Sequence, residues 1–351
     1  MRFSNVNVIA AAISQPENII TSKHIEETEL KNVYEALKLP AGRLELMTGI
    51  RERRFWNAGT KPSAVAAKAG ELAINQAGID RTKIELLIHA SVSRDFLEPA
   101  TASVVHHILK LTPECVMFDL SNACLGVLSA MVHVAALIES GYIKAGLIVS
   151  GETAEGLYQA TINRLNDDLK RGVLKKSDMK NMFASLTIGS AAAAVLMTHN
   201  QLNSTGFRLL GGSCLTDSSA VTLCQEDTSG VSSDGPLMST DSEALLHAGC
   251  NLANKTWNAA KSELGWENDD VDHVFTHQVG SMHSKLLFEM LGVDSCKDFP
   301  TVSFFGNTGS AALPGAFALG IREKRMNRGD KIALMGIGSG LSSLMLGLEA
   351  L

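Results

Sequence analysis

The chain has 351 residues, a formal net charge of −6 and 45% hydrophobic residues. This length and composition allow a large buried core and exclude a wholly disordered chain. Only 5% of the residues are aromatic and no basic stripe is visible, which argues against a nucleic-acid-binding platform. No signal peptide is recognisable and no apolar run is long enough to cross a bilayer. We therefore expect a cytoplasmic protein without a transmembrane segment.

Short strand-like runs alternate along the chain with helical patterns. We predict strands over 5–12, 83–91, 115–121, 145–151, 272–277, 301–305 and 331–338. Apolar residues recur at helical spacing over 63–77, which predicts a helix there. Strands that alternate with helices favour an α/β fold with a mostly parallel sheet. The amphipathic segment 157–183 is interpreted as a cap over an apolar pocket, and the Ser/Thr/Asp/Gly-rich segment 215–240 as a loop.

The chain also shows signs of an internal duplication. A helix–glycine–strand unit occurs in each half, and Cys124 and Asn307 take equivalent places in the strand–turn–helix units that follow. We therefore divide the chain into an N-terminal half, 1–198, with a cap insertion at 157–183, and a C-terminal half, 199–351.

Two predicted helices are apolar almost all the way round. One begins near Cys124, and the other follows Asn307 and contains Pro314, which either starts or kinks it. A helix without a polar face is buried on both sides. If each half forms a sheet, these helices lie between the two sheets in an α/β/α/β/α arrangement. The alternative is that both are ordinary core helices under one sheet.

The six cysteines show no metal-binding spacing and are interpreted as free thiols in a reducing compartment, with no metal site. Cys124 stands at the start of a helix, whose free N–H groups lower a thiol pKa, so it is a plausible nucleophile. The alternative is a small core residue.

Two other polar residues stand at the ends of predicted strands. His277 can present a ring nitrogen to a cleft, although a structural histidine is the alternative. The amide of Asn307 can donate to a developing oxyanion, although helix capping is the alternative.

A glycine-rich turn near the C-terminus permits close approach of a ligand to the backbone. It comprises Gly336, Gly338 and Gly340, between two apolar strand-like runs. The pattern lacks the spacing and the helix of a dinucleotide-binding loop, so nucleotide-phosphate binding is set aside.

These motifs occur together in one order. They are T-G-I-R-E-R at 48–53, N-A-C-L-G around Cys124, T-H-Q ending at 278, G-N-T-G-S-A around Asn307 and G-x-G-x-G-L. The combination resembles the thiolase-fold condensing enzymes, and most closely their ketoacyl synthase III branch. The resemblance implies a five-layer thiolase-like fold, a homodimer and a catalytic triad of Cys124, His277 and Asn307.

The stretch S-R-D-F-L-E-P contains Glu98 and resembles the OleA-type enzymes, which join two fatty acyl-CoA molecules head to head. In that group the equivalent glutamate removes the α-proton and reaches the partner subunit's active site. A decarboxylating synthase makes its carbanion by losing CO2, whereas a non-decarboxylating Claisen condensation needs a base. Without the resemblance, Glu98 is interpreted as an ordinary surface carboxylate.

The resemblance implies an acyltransferase that works through an acyl-Cys124 intermediate, with the backbone N–H groups of Cys124 and Gly340 as the oxyanion hole. Its product is a 2-alkyl-3-ketoacyl-CoA or the β-keto acid, which would lead to long-chain olefins or other hydrocarbons. Its substrates are fatty acyl-CoA or acyl carrier protein thioesters, and no cofactor is expected.

Departures from related families limit the alternatives. Thiolases carry a second cysteine in the glycine loop, which this chain lacks, and synthase III enzymes hold the CoA adenine with Trp and Arg where Arg43 and Met47 stand here. The main alternative is a decarboxylating 3-oxoacyl-ACP synthase III of fatty-acid biosynthesis. A non-catalytic thiolase-fold subunit and an enzyme like hydroxymethylglutaryl-CoA synthase are weaker alternatives.

Overall fold

The computed structural model describes residues 1–226, 237–323 and 326–351. The strands are β1 Val6–Ser14, β2 Asn18–Thr21, β3 Glu52–Phe55, β4 Leu86–Ala90, β5 Val116–Leu120, β6 Ala145–Glu152, β7 Ala191–His199, β8 Phe207–Thr216, β9 Cys224–Glu226, β10 Met238–Thr240, β11 His273–Thr276, β12 Lys331–Gly338 and β13 Ser342–Ala350. The α-helices are α1 Ser22–His24, α2 Lys31–Leu37, α3 Arg43–Thr48, α4 Pro62–Ala77, α5 Thr101–Leu109, α6 Gly126–Glu139, α7 Glu155–Lys170, α8 Lys176–Met182, α9 Ser242–Leu264, α10 Ser281–Leu291, α11 Val302–Phe305 and α12 Ala312–Glu323.

The main sheet contains the same strand arrangement twice. Its order is β11-β12-β13-β8-β1-β7-β6-β4-β5. In the first half β4 runs parallel to β6, and β6, β7 and β1 follow with antiparallel pairing. In the second half β11 runs parallel to β12, and β12, β13 and β8 again pair antiparallel. A short pairing of β1 with β8 joins the two half-sheets.

Helices α6 and α12 lie between the half-sheets. One buried cluster contains their apolar residues together with residues of both half-sheets, such as Ile148 of β6 and Leu334 of β12. Neighbouring residues point the other way, because side chains alternate along a strand. Leu147 thus packs with the outer helices α4 and α5, and Met335 with α9 and α10. The predicted α/β/α/β/α fold is confirmed. The prediction of a mostly parallel sheet is wrong, because five of the eight neighbouring strand pairs of the main sheet are antiparallel in the described part of the chain.

The prediction of a strand at 301–305 is wrong. Residues Val302–Phe305 form the short helix α11. The Oε1 atom of Gln278 accepts hydrogen bonds from the N–H groups of Thr301 and Val302, so these groups are not available to a neighbouring strand. In the first half β5 pairs with β4. At the equivalent place beside β11 the second half, in its described residues, has only one parallel bridge, between Val274 and Asp298.

Several other elements refine the sequence-based predictions. Pro314 is the third residue of α12, where a missing N–H is tolerated, so it lies at the start of the helix and does not kink it. Segment 157–183 forms most of α7 and α8, which pack on Ile25, Val33 and Phe55.

Segment 215–240 is not simply a loop, because it contains a 3-10 helix at Ser218–Leu223 and the β9–β10 pairing. Residues 227–236 of this segment lie outside the described residues.

Among the helices of the described ranges, none is both long enough and apolar enough to cross a membrane. The boundary predicted near residue 198 falls at the end of β7, before the turn that leads into β8. The division into two sequence halves remains a prediction.

Candidate active site

Cys124 lies in a tight turn between β5 and α6. The turn is a 3-10 helix at Ala123–Leu125, and Ala123 has a φ of 44°, in the left-handed region. A side chain at Gly126 would lie 2.8 Å from the Oγ of Ser310 and 3.3 Å from the backbone of Ala90. The close approach therefore requires glycine after Leu125, and it fixes the direction in which α6 leaves the turn.

The pKa of Cys124 departs from the sequence-based expectation. Burial raises the pKa of its thiol to about 12, and the nearby charges of Glu152 and Cys224 act in the same direction. The prediction that the helix start lowers this pKa is wrong, because loss of hydration and a neighbouring carboxylate outweigh the helix dipole. At neutral pH the resting side chain is a thiol, which needs a base before it can attack a thioester.

His277 directly follows β11 and is 4% exposed. Its backbone N–H donates to the carbonyl of Met335 in β12, at 2.9 Å. Burial lowers the pKa of the imidazole to about 3, and His283 of α10 adds to this shift. The Nδ1 atom is buried without a hydrogen-bond partner among the described residues. A neutral imidazole of this kind can accept a proton from a thiol.

Asn307 is held by its backbone and by one side-chain atom. Its N–H donates to the carbonyl of Thr187, and its own carbonyl accepts from the N–H of Gly189, both at 2.9 Å. Its Oδ1 accepts from the N–H of Gly309 at 3.1 Å, which caps the 3-10 turn Gly309–Ala311. The capping bond uses the carbonyl side of the amide and leaves the Nδ2 hydrogens for another acceptor.

Two contacts bring these elements to the Cys124 turn. The Oγ of Ser310 donates a hydrogen bond to the carbonyl of Ala123, which joins the Asn307 loop to the turn. Side chains added at Gly336 and Gly338 would lie 2.4 Å and 3.0 Å from Leu125. The glycine-rich strand β12 therefore passes directly against the turn, and His277 is bonded to the same strand. Gly340 is exposed in the turn between β12 and β13.

Glu98 lies elsewhere on the chain. It is exposed, beside Leu97, which is 94% exposed. The structure records no contact between its side chain and Cys124, His277 or Asn307 of the same chain. Three of the four predicted catalytic residues therefore lie on elements that meet, while Glu98 lies on a projecting loop.

Sequence reasoning missed two buried charged residues near the site. Glu152 ends β6, and Arg53 in β3 has no exposed surface. The Arg53 guanidinium donates to the Ser22 Oγ and the Leu186 carbonyl, both at 3.0 Å. The signals were present, because Arg53 belongs to the T-G-I-R-E-R motif and Glu152 ends a predicted buried strand.

A cleft of about 650 Å³ opens beside Gln278, the residue after His277. Its walls include Gly49, Ser281, Lys285 and Phe288, so it lies between the end of α3 and helix α10. Within the described part of the chain, no three metal-ligating side chains are grouped closely enough to hold an ion.

Known protein families match two parts of the chain. The family 3-oxoacyl-[acyl-carrier-protein] synthase III matches residues 118–164, and the C-terminal family of the same enzymes matches residues 262–348. Beta-ketoacyl-[acyl-carrier-protein] synthase III of Neisseria meningitidis is 26% identical over 84% of this chain and 86% of that protein.

Two curated proteins are more similar. The acyl-CoA:acyl-CoA alkyltransferase of Shewanella oneidensis is 35% identical over 99% of this chain and all of that protein. The one of Xanthomonas campestris is 35% identical over 98% of both chains. A crystal structure of Xanthomonas campestris OleA superposes with a TM-score of 0.93 at 34% identity, covering 99% of this chain and 98% of that one. The chain therefore belongs to the OleA family of acyl-CoA:acyl-CoA alkyltransferases, acyltransferases of the thiolase superfamily.

Proposed function

We propose that this protein joins two fatty acyl-CoA molecules by a non-decarboxylative Claisen condensation through an acyl-Cys124 intermediate. The observation that carries the proposal is the number of residues that separate Glu98 from Cys124 in the sequence. Solved variants of Xanthomonas campestris OleA replace one cysteine and one glutamate, and these two positions are separated by the same number of residues as Cys124 and Glu98 here.

The loop that carries Glu98 is anchored on both sides of its exposed tip. Asp95 accepts hydrogen bonds from the N–H and the hydroxyl of Ser63, at 2.9 and 2.6 Å. Asp119 accepts from the N–H groups of Thr101 and Ala102, both at 2.8 Å, at the start of α5. A catalytic group must be held in a defined position, and these contacts fix both ends of the short segment that projects Glu98.

We propose that Glu98 acts in the active site of a second copy of the chain. Strand β5 is an edge of the main sheet, and its Val116, Met117 and Phe118 are 53%, 38% and 36% exposed. An exposed apolar edge strand pairs readily with another chain. Leu97, at the tip of the loop, also exposes most of its surface to solvent. These features support a homodimer in which the tip of the loop crosses the interface.

In the first half-reaction, His277 accepts the proton of the Cys124 thiol as the sulfur attacks the carbonyl carbon of an acyl-CoA. The C–S bond to CoA breaks, and the CoA thiolate leaves with the proton that His277 took from Cys124, which returns His277 to its neutral form. The backbone N–H groups of Cys124 and Gly340 stabilise the oxyanion during this step. His277 is neutral at rest, so a ring nitrogen has a lone pair that can accept the proton. Because burial disfavours the charged imidazolium, His277 holds the proton only briefly before it passes to CoA.

In the second half-reaction, Glu98 removes an α-proton from a second acyl-CoA, and the resulting enolate oxygen accepts hydrogen bonds from Asn307 Nδ2 and His277. The α-carbon attacks the carbonyl of acyl-Cys124, and the C–S bond breaks with Cys124 leaving as a thiolate. The thiolate then takes up one proton, equivalent to the one that Glu98 removed and releases, so both groups return to their resting forms. The product is a 2-alkyl-3-ketoacyl-CoA, or the β-keto acid after hydrolysis. Neither step calls for a cofactor.

The substrates we propose are long-chain fatty acyl-CoA thioesters, and the product would feed cytoplasmic hydrocarbon or olefin synthesis. A solved structure of the Xanthomonas campestris protein contains lauric acid and lauroyl-CoA. Helix α3 ends at Gly49, which is part of the wall of the cleft described above, and its Met47 and Leu46 are 42% and 83% exposed. We propose that CoA meets these apolar side chains and Arg43 in place of the Trp and Arg of synthase III.

The direct test supplies one long-chain acyl-CoA as the sole substrate and identifies the products by mass spectrometry. We expect CoA release, an acyl adduct on Cys124 and a condensed product. The variant Glu98→Gln should still form the adduct but lose at least about 100-fold in condensation, as expected for removal of a general base. The exposed Glu17→Gln serves as the matched control. Normal condensation by Glu98→Gln would refute the assigned base.

The main alternative is a decarboxylating 3-oxoacyl-ACP synthase III, which the matching family models keep open. Addition of malonyl-ACP separates the two functions. If condensed product forms only with malonyl-ACP, the proposed function is wrong and the alternative is correct. If no acyl adduct forms on Cys124, the protein is a binding subunit.

A further inference from the structure

Glu152 is a buried carboxylate that the mechanism above does not use. It is 4% exposed and ends β6, next to Gly151. Among the residues that the structure describes, no cationic side chain lies within ion-pair distance of it. Burial of an unpaired carboxylate is costly unless hydrogen bonds satisfy its oxygens, so the contacts of this group indicate its role.

Three backbone N–H groups bind the Glu152 carboxylate. Oε1 accepts from Val92 at 3.0 Å and from Ser310 at 3.1 Å, and Oε2 accepts from Ser93 at 3.1 Å. Gly309 lies so close that a side chain on it would come within 3.2 Å of the carboxylate. Hydrogen bonds from N–H groups to a carboxylate are about twice as strong as those between neutral groups.

The three donors belong to two separate loops. Val92 and Ser93 begin the loop that leads to Glu98, while Ser310 follows Asn307 and also binds the turn of Cys124. We propose that Glu152 is a positioning residue that fastens the Glu98 loop to the Asn307 loop behind Cys124. This inference rests on the proposed function for the role of Glu98, whereas the link between the two loops is a feature of one chain.

The backbone around Glu152 is itself fixed. The Trp56 indole donates to the Glu152 carbonyl at 3.1 Å, and the Ser91 hydroxyl accepts from the N–H of Gly151 at 2.8 Å. The end of β6 therefore fixes the backbone of Glu152, and its carboxylate binds the two loops. If Glu98 serves the partner's site, Glu152 links one protomer's nucleophile turn to the base that it delivers across the interface.

The negative charge of Glu152 also has a consequence for the thiol. It lies close enough to Cys124 to raise the pKa of that side chain, together with the larger effect of burial. A merely structural link made by an uncharged group would hold the loops but would not affect the ionisation of the sulfur. The link that Glu152 makes between the loops and the effect of its charge on Cys124 can therefore be tested by separate measurements.

The test uses Glu152→Gln in the full-length chain. The glutamine oxygen can keep the two bonds that Oε1 makes, but its NH2 group cannot accept from Ser93, and the charge is lost. We expect clearly faster hydrogen exchange of the amides in peptides covering 92–99, where the bond to Ser93 is lost. A smaller increase is expected over 308–311, where the bond to Ser310 is kept but is weaker without the charge. The matched control is Glu155→Gln, for which no side-chain hydrogen bond or ion pair is recorded.

The second readout is the pH dependence of Cys124 alkylation by iodoacetamide, followed by mass spectrometry. Loss of the neighbouring charge should move the alkylation profile to lower pH, with alkylation at pH 8 at least about threefold faster than in the wild type. In turnover assays with one acyl-CoA, condensation should fall more than Cys124 acylation, as a decrease in kcat with a smaller change in KM.

Unchanged amide exchange in the 92–99 loop would overturn the inference, and an unchanged alkylation profile would overturn the effect of the Glu152 charge on Cys124. Both measurements work without any substrate, so they are independent of the proposed function. If the wild type forms no condensed product from acyl-CoA alone, the proposed function is wrong even where the exchange and alkylation results support the role of Glu152. If Glu152→Gln does not fold, Ser93→Pro keeps the charge but removes the N–H donor to Glu152 and the hydroxyl that accepts from the N–H of Thr153. It should loosen the 92–99 loop but not 308–311, and Ser93→Ala, which removes only the hydroxyl, is its control.

Discussion

The hydroxyl of Ser310 donates a hydrogen bond to the carbonyl of Ala123, the residue before Cys124. This bond joins two distant parts of the sequence, because Ser310 belongs to the loop of Asn307 and Ala123 to the turn of Cys124. The left-handed conformation of Ala123 is unfavourable for a residue with a side chain, so the turn needs support from outside. Ser310 supplies that support.

The variant Ser310→Ala should loosen the Cys124 turn. Without its hydroxyl, the Ala123 carbonyl loses a partner, which should lower the free energy of unfolding by about 1 kcal/mol and the rate of Cys124 acylation roughly tenfold. The measurements are denaturant unfolding and stopped-flow acylation with an acyl-CoA. Ser204→Ala, at an exposed position, is the control. Equal acylation rates in the two variants would contradict this prediction.

The low pKa of His277 predicts how stability depends on pH. In the folded protein its pKa is about 3, below the ordinary value of 6.5, because burial disfavours the charged form. The unfolded chain therefore binds a proton between these values that the folded chain does not. The contribution is complete above pH 6.5 and is lost, at up to about 1.4 kcal/mol per pH unit, as the pH falls towards 3.

This dependence can be measured by urea unfolding of the wild type and of His277→Asn at pH 7, 6, 5 and 4. The variant lacks the titrating group, so its stability should fall less steeply on the acid side. His283, whose pKa burial lowers to about 4, contributes in the same direction and remains in both proteins. Parallel pH profiles for the two proteins would show that His277 is not buried in its neutral form.

The sequence predicted the repeat and the buried helices because apolar patterns report burial directly. It did not predict β7, whose run Ala191–Ala194 favours a helix by composition. Small side chains are needed there because α4 packs closely on one face, at Ala192 and Ala194, and Ala311 on the other, at Ala191 and Ala193. This tertiary requirement overrides the local preference and is not visible along the sequence.

The candidate site, like the fold, could be predicted only in part from the sequence. Cys124, His277 and Asn307 each follow a recognisable turn or strand end, so their motifs identified them as candidates, and their catalytic roles remain predictions. Glu152 was missed because its role depends on N–H groups of residues 92, 93 and 310, which are far apart in the sequence. The direction of the Cys124 pKa shift was predicted wrongly for the same reason, since the shift depends on burial and on Glu152, which is near in space but distant in the sequence.

Arg53 should be important for both stability and the position of Asn307. Its Cβ lies near the positions that side chains on Gly189 and Gly306 would occupy, at 3.3 and 3.2 Å, and its guanidinium binds the Leu186 carbonyl. Burial lowers its pKa to about 10, so it remains charged at neutral pH. Arg53→Met should therefore reduce the free energy of unfolding by about 2–4 kcal/mol, because it leaves buried acceptors without donors.

The control for Arg53→Met is Arg54→Met, at the next position of β3. The Arg54 side chain is 24% exposed, lies 3.6 Å from the Glu52 carboxylate and stands over the Phe305 ring. It is therefore more exposed than Arg53, and its loss should cost less, about 1–2 kcal/mol. Denaturant midpoints measure both variants, and equal losses would show that the burial of Arg53 contributes nothing specific.

Gly189 should tolerate no side chain, because it lies against the segment that carries Asn307. A Cβ at this position would lie 2.0 Å from the carbonyl oxygen of Phe305, and the N–H of Gly189 already binds the Asn307 carbonyl. Since both neighbours are backbone, the clash can be relieved only by moving the Asn307 loop. Gly189→Ala should therefore lower condensation at least about tenfold, since a displacement of 1 Å at a catalytic group can cost more than that.

Gly156→Ala is the control for Gly189→Ala, because this substitution should stabilise the protein and leave its activity unchanged. Gly156 lies in the first turn of α7, and nothing lies within 4 Å of an added Cβ. An alanine there should raise stability by about 0.5–1 kcal/mol, because glycine costs more conformational entropy in a helix. Thermal unfolding and product formation from one acyl-CoA measure both variants. If Gly189→Ala retains full activity, the backbone contact with Gly189 does not set the position of the Asn307 loop.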